Sequence, residues 1–154
     1  MIRRLPLILA LAAMLALPVT AQASDASLKR ALLPYKNTLT IAILYLAGLD
    51  AAPAKSQGKT VESRAATFQS DFAKVEQVAR SQKASTSAGR KAIGELMLAL
   101  GDTYTAAGDL KAAGAAAAAG KASTAQAYVN KSQSRVKSSL VPYQAAGKAF
   151  GLFG

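Results

Sequence analysis

The chain has 154 residues, no cysteine, no histidine, and 19 Lys and Arg against 8 Asp and Glu, for a formal net charge of +11. The missing residue types exclude disulfides, thiol nucleophiles, thiolate or imidazole metal sites and the usual general base at neutral pH, which closes most of the enzymology built on helical scaffolds. The cationic excess favours anionic surfaces as partners, with plain solubility as the competing use of the charge.

The first elements are a targeting segment. Arg3 and Arg4 precede an apolar run from Leu5 to Val19, and Ala21-Gln22-Ala23 supplies a small-residue cleavage site, the pattern of a secretory signal peptide over residues 1–23. The apolar run is shorter than the roughly 20 residues of a spanning helix; retention as an N-terminal anchor is the competing reading. Cleavage leaves residues 24–154 as one domain, periplasmic or secreted, with 17 basic and 8 acidic residues and a net charge of about +9.

Four segments then carry helical periodicity. Residues 25–50 place Leu28, Leu32, Tyr35, Leu39, Ala42, Leu46 and Leu49 on a seam of alternating spacing four and three, and residues 60–83 repeat it with Val61, Ala65, Phe68, Phe72, Val75 and Ala79. Residues 88–113 put Ile93, Met97, Leu100, Tyr104 and Ala107 in the seam, with Glu95, Asp102 and Asp109 expected toward solvent. Residues 124–150 follow with Ala125, Val129, Ser132, Val136, Leu140, Tyr143, Gly147 and Phe150.

The connections differ. Residues 51–59, with Pro53 and Gly58, and residues 81–89, where Ser87 is the predicted cap of the third helix, read as loops. Residues 108–124 are low in complexity, and Gly108, Gly114 and Gly120 oppose the helix preference of the alanines between them, so a frayed helix end is expected there. No alternating, strand-like run competes. The expected fold is all-α, an up-down-up-down antiparallel four-helix bundle following the signal peptide.

Lys29-Arg30-Ala31-Leu32-Leu33-Pro34-Tyr35 and Lys137-Ser138-Ser139-Leu140-Val141-Pro142-Tyr143 share one frame of Lys, Leu, Pro and Tyr. An antiparallel bundle brings these two stretches to one end. Each proline removes a helical hydrogen bond, so both helices are expected to bend or break there, unless each proline simply begins a helix and the tyrosines pack. A bend would open that end between Leu32, Tyr35, Leu140, Tyr143 and Phe150, the candidate residues for holding an apolar ligand.

The same topology gathers Lys29, Arg30, Lys83, Arg90, Lys91, Lys137 and Lys148 into a basic pole, the candidate anion-binding residues; a merely solvated lysine face is the bland alternative. Motifs for chemistry fail. Residues 114–123 have five residues between glycines and Ala122 where a phosphate-binding loop needs Ser or Thr. Ser56 to Lys59 and Ser134 to Lys137 lack the partner elements of a Ser-x-x-Lys enzyme, and Asn130-Lys131-Ser132 is a glycosylation pattern in mid-helix.

The expected function is therefore non-enzymatic: an exported bundle of the cell envelope whose basic pole binds lipid head groups, an envelope polymer or an acidic protein, without catalytic residues, cofactor or metal. The alternative is a carrier of a small apolar ligand at the Pro-Tyr end. Nucleic acid is not an expected partner, because the chain is exported and acids are spread through all four helices. Peripheral membrane contact fits the charge, and the tail from Ala149 to Gly154 is expected to dock on the bundle rather than insert into lipid. Leu33, Ile41 and Leu44 either pair two molecules or bury within one.

Overall fold

Pro34 shapes the start of the fold. The computed structural model describes residues 26–84 and 86–150. The first helix, α1 (Ala26–Leu32), gives way to a single 3-10 turn, Leu33–Tyr35, before α2 (Lys36–Gly48). Proline has no N–H to give and crowds the carbonyl four residues back, so the α-pattern cannot run through it unchanged; Lys36 N–H instead bonds Leu33 O. We call α1, the turn and α2 the N-terminal arm.

A short 3-10 turn, Lys55–Gln57, leads into α3 (Gly58–Ser81), followed by α4 (Ser87–Ala118) and α5 (Ala122–Phe150). Counting the arm as one, four helical segments and no strand make up the described residues, and the fold is all-α. The signal-peptide expectation for residues 1–23 lies outside the described residues, as do residues 151–154 of the tail. Ala149 is half-buried and Phe150 is fully buried in the core.

The arm, α3 and α5 bury close to the expected seams. Leu28, Leu32, Leu39, Ala42 and Leu46 are core on the arm, as are Val61, Ala65, Phe72, Val75 and Ala79 on α3, while Tyr35, Leu49 and Phe68 are half-buried. On α5 the buried positions 125, 129, 132, 136, 139, 143, 146 and 150 alternate by four and three along its whole length, and the expected Gly147 is buried beside them. Ser139 and Ala146 replace the expected Leu140, which is half-buried against the core.

α4 departs from expectation at three of its five seam positions, since Leu100 and Ala107 are fully buried as expected. Ala92, Ala99, Ala106 and Ala113 recur every seven residues in the core, interleaved with Leu96, Thr103, Leu110 and Ala117, whereas Ile93 and Met97 are half-buried and Tyr104 is 42% exposed. α4 packs against both α3 and α5, which between them supply most of the interhelical contact. A helix between two close neighbours needs small residues where their backbones approach, so Ile93, Met97 and Tyr104 turn to the flanks while Leu96, Leu100 and Leu110 stay in the core.

The α3–α4 approach also corrects the expected fraying of residues 108–118, which are helical. A Cβ on Gly114 would stand 2.5 Å from Glu62 N and 2.6 Å from Gly58 O, and one on Gly58 would stand 2.6 Å from Gly114 O. Bare glycines let the two backbones touch, and that packing outweighs the roughly 1 kcal/mol each glycine costs a helix. α4 then ends cleanly: Lys121 N–H bonds Ala116 O and Gly120 N–H bonds Ala117 O, with Gly120 at φ +75°. This is the Schellman arrangement, which requires a left-handed residue that glycine supplies without strain.

The start of α4 is capped by Thr86 and not by Ser87: the Thr86 side chain accepts the Gly89 N–H at 2.9 Å from an extended backbone. Thr86→Ala should cost about 1 kcal/mol, read as a lower midpoint of urea unfolding; an unchanged midpoint would mean that solvent serves Gly89 equally well.

The contacts orient the helices in pairs. Gly58 meets Gly114, and Gln69 donates to Tyr104 O at 3.4 Å, so α3 and α4 run antiparallel. Thr103 meets Tyr143 and Asp109 meets Arg135, so α4 and α5 do too. Where the chain leaves the arm, Gln133 Nε2 donates to Leu49 O and Gln126 Oε1 accepts the Ala52 N–H. The arm therefore ends beside the N-terminal half of α5.

Candidate functional site

The candidate cations stand mostly at helix ends. Lys29 and Arg30 belong to the arm's first helix, Lys83 to the α3–α4 connection, Arg90 and Lys91 to the first turns of α4, and Lys148 to the last turn of α5. Because α3, α4 and α5 run alternately, Lys83, Arg90, Lys91 and Lys148 return to one end; the arm, held at its other end by Gln126 and Gln133, points its first helix the same way. Lys137 is separate, in the middle of α5 and about 20 Å from its C-terminus at 1.5 Å per residue.

The ion pairs among the described residues use other cations. Lys59 pairs with Glu62, Lys74 with Asp71, Arg80 with Glu76, and Arg135 with Asp109 across helices at 2.9 Å. Half of the chain's eight acids are thus engaged, three of them away from the pole and Glu76 beside it, on Arg80 in the last turn of α3. Asp109, expected toward solvent, has a side chain only 15% exposed because it carries the α4–α5 bridge. Lys83, Lys91 and Lys148 are exposed, as is Arg30, and Lys29 is half-buried.

The candidate apolar-ligand residues divide. Leu32 and Phe150 are fully buried, Tyr35 and Leu140 are half-buried, and Tyr143 is 2% exposed. The Tyr143 hydroxyl lies 3.0 Å from Thr103 Oγ1, whose own hydrogen is committed to the Ala99 carbonyl at 2.8 Å, so tyrosine donates and threonine accepts. Burial pushes the Tyr143 phenol well above its ordinary value. Pro142 does not break its helix: α5 runs through it, and the freed carbonyl belongs to Ser138, an exposed residue that solvent can serve.

One depression among the described residues lies elsewhere, an open groove lined by Ser123, Thr124, Ala127, Tyr128 and Lys131 at the start of α5, with the Lys131 ammonium 5.2 Å from the Tyr128 ring centre. Among the described residues no three acids group as a metal site.

Sequence reasoning missed one feature and left another open. The Thr103–Tyr143 pair was signalled by threonine at a heptad position between Leu96 and Leu110, read instead through its neighbour Tyr104. The outer face of the arm, left open between pairing and burial, is settled as exposed: Leu33 is 48% exposed, Ile41 61% and Leu44 38%. No protein-family model, curated protein or solved structure matches the chain.

Proposed function

We propose that the protein is an exported, non-enzymatic, up-down-up-down four-helix bundle of the cell envelope that binds an anionic partner through cations at the end where Lys29, Arg30, Lys83, Lys91 and Lys148 stand. The observation that carries this reading is the distribution of acids: of the ion pairs Lys59–Glu62, Lys74–Asp71, Arg80–Glu76 and Arg135–Asp109, only Arg80–Glu76 stands at that end, and none uses Lys29, Arg30, Lys83, Lys91 or Lys148. Unneutralised cations on a common end concentrate an anionic partner and make its binding sensitive to salt. The antiparallel pairs α3–α4 and α4–α5, with the arm beside α5, support the bundle topology. The absence of His and Cys supports a binding role over catalysis.

The test is retention of residues 24–154 on an immobilised polyanion, with Lys83→Gln, Lys91→Gln and Lys148→Gln combined in one variant and Lys55→Gln, Lys111→Gln and Lys121→Gln in another. Both variants lose the same charge. The first should bind about tenfold more weakly than the parent, at about half a kcal/mol per exposed contact, and the second should change far less. Equal weakening would mean that net charge alone is at work and would sink the pole.

A further inference from the structure

We propose that the outer face of the N-terminal arm lies on an anionic lipid bilayer, with Leu33, Ile41 and Leu44 inserted between head groups and the arm's cations on the lipid phosphates. The inference rests on the anionic-partner reading and gives that partner a chemistry.

The exposed residues of the arm are Ala26, Ser27, Arg30, Leu33, Pro34, Asn37, Ile41 and Leu44. Positions 26, 30, 33, 37, 41 and 44 form one stripe at helical spacing, so these residues belong to a single face. Three of its six side chains are large and apolar: Leu33, Ile41 and Leu44 are 48%, 61% and 38% exposed, beside the charged Arg30. The opposite face, with Leu28, Leu32, Leu39, Ala42, Ile43, Leu46 and Ala47, is core. A helix that is apolar all round is normally covered all round, and this one is covered on one side by the other helices. The 3-10 turn at Pro34 keeps Leu33 and Pro34 on the outward side.

Charge selects what covers the outer side. From residue 26 to residue 48 the arm has Lys29, Arg30 and Lys36 and no acid. A second copy seated face to face would bring two such arms together on a protein at about +9 once residues 1–23 are removed, with no acidic residue between 26 and 48 to offset the repulsion. An anionic bilayer complements both properties at once. Apolar side chains enter the head-group boundary while lysine and arginine stems extend to phosphate, the two-signal logic of helices lying in the membrane surface. No helix of the described residues is long and apolar enough to cross a membrane, so the contact is peripheral.

The test uses residues 24–154, which contain every described helix, and vesicles of 30% phosphatidylglycerol in phosphatidylcholine beside vesicles of phosphatidylcholine alone. The parent should partition to the anionic vesicles, and Leu33→Ser, Ile41→Ser and Leu44→Ser combined should lower partitioning about 100-fold, since each side chain forfeits roughly half the gain of full apolar burial. These sites are on the surface, so the variant keeps its helical circular dichroism. Because the chain has no cysteine, an environment-sensitive fluorophore on Ile41→Cys should shift blue on anionic vesicles, while one on Ser70→Cys, at an exposed site of α3, should not.

Equal partitioning by the parent and the triple serine variant overturns the arm inference and leaves the anionic pole intact. So does a parent dimer that the triple variant converts to monomer in sedimentation equilibrium. Retention on the immobilised polyanion without vesicle binding keeps the pole and removes the bilayer, whereas failure on both removes the pole as well.

Discussion

Gly114→Val should lose about 3 kcal/mol of stability or more, enough to abolish cooperative unfolding in a domain of ordinary stability. The reason is the absence of anything soft to move. A Cβ at this position meets Glu62 N at 2.5 Å and Gly58 O at 2.6 Å, both backbone atoms of α3, so α3 and α4 would have to separate along their shared seam. Separation opens gaps beside Val61 and Ala65 on one helix and beside Leu110 and Ala113 on the other, all core residues, and each gap forfeits close contacts. Gly58→Ala should act in the same direction, because its added methyl meets Gly114 O at 2.6 Å.

Gly101 is the control. It is exposed on α4 with nothing near an added methyl, so Gly101→Ala should raise stability by about 0.5–1 kcal/mol through helix propensity. Urea unfolding followed by circular dichroism measures all three. If Gly114→Val kept the parent's midpoint, the close approach of α3 and α4 would be wrong.

The second large effect is alkaline. Burial raises the Tyr143 phenol above the value of about 10 that it has when unfolded, so the native state holds its proton after the unfolded state has let it go. Below about pH 10 both states are protonated and this residue gives no pH dependence. As pH rises through the unfolded value toward the native one, stability should fall by up to about 1.4 kcal/mol per pH unit. Tyr143→Phe removes that slope. At neutral pH the same variant should lose about 1 kcal/mol, a modest sum because Thr103 still donates to Ala99 O. Unfolding free energies measured in parallel from pH 8 to pH 11 isolate the tyrosine from other groups that titrate there; identical slopes would mean that Tyr143 is open to solvent.

The arm and α3 were legible because their seams rest on large residues, such as Leu28, Leu39 and Phe72, whose burial decides the energy whatever the neighbours are. α4 was not. Its core positions 92, 99, 106 and 113 are alanines that look no different in sequence from exposed Ala88 and Ala115, and Tyr104, the largest residue in reach, drew the reading one position off. The glycines of residues 108–120 misled for a related reason. Glycine costs an isolated helix, and only a partner backbone at Gly114 turns that cost into close packing.

The candidate cations were readable as residues, and so were their helices; their grouping needed the antiparallel contacts, which set Lys83, Arg90, Lys91 and Lys148 apart from mid-helix Lys137. What the chain determines by itself is its helical class, the approximate extent of four helical segments, the exclusion of thiol and imidazole chemistry, and a cationic surface. These follow from composition and from spacing within about one helical turn. The tertiary structure alone decided which face of α4 is core, that α4 continues to Ala118, that Tyr143 is bound to Thr103, and that Leu33, Ile41 and Leu44 face outward. Each of these depends on residues far apart in the chain, and the free energy of such a contact is a property of the pair that neither sequence stretch contains alone.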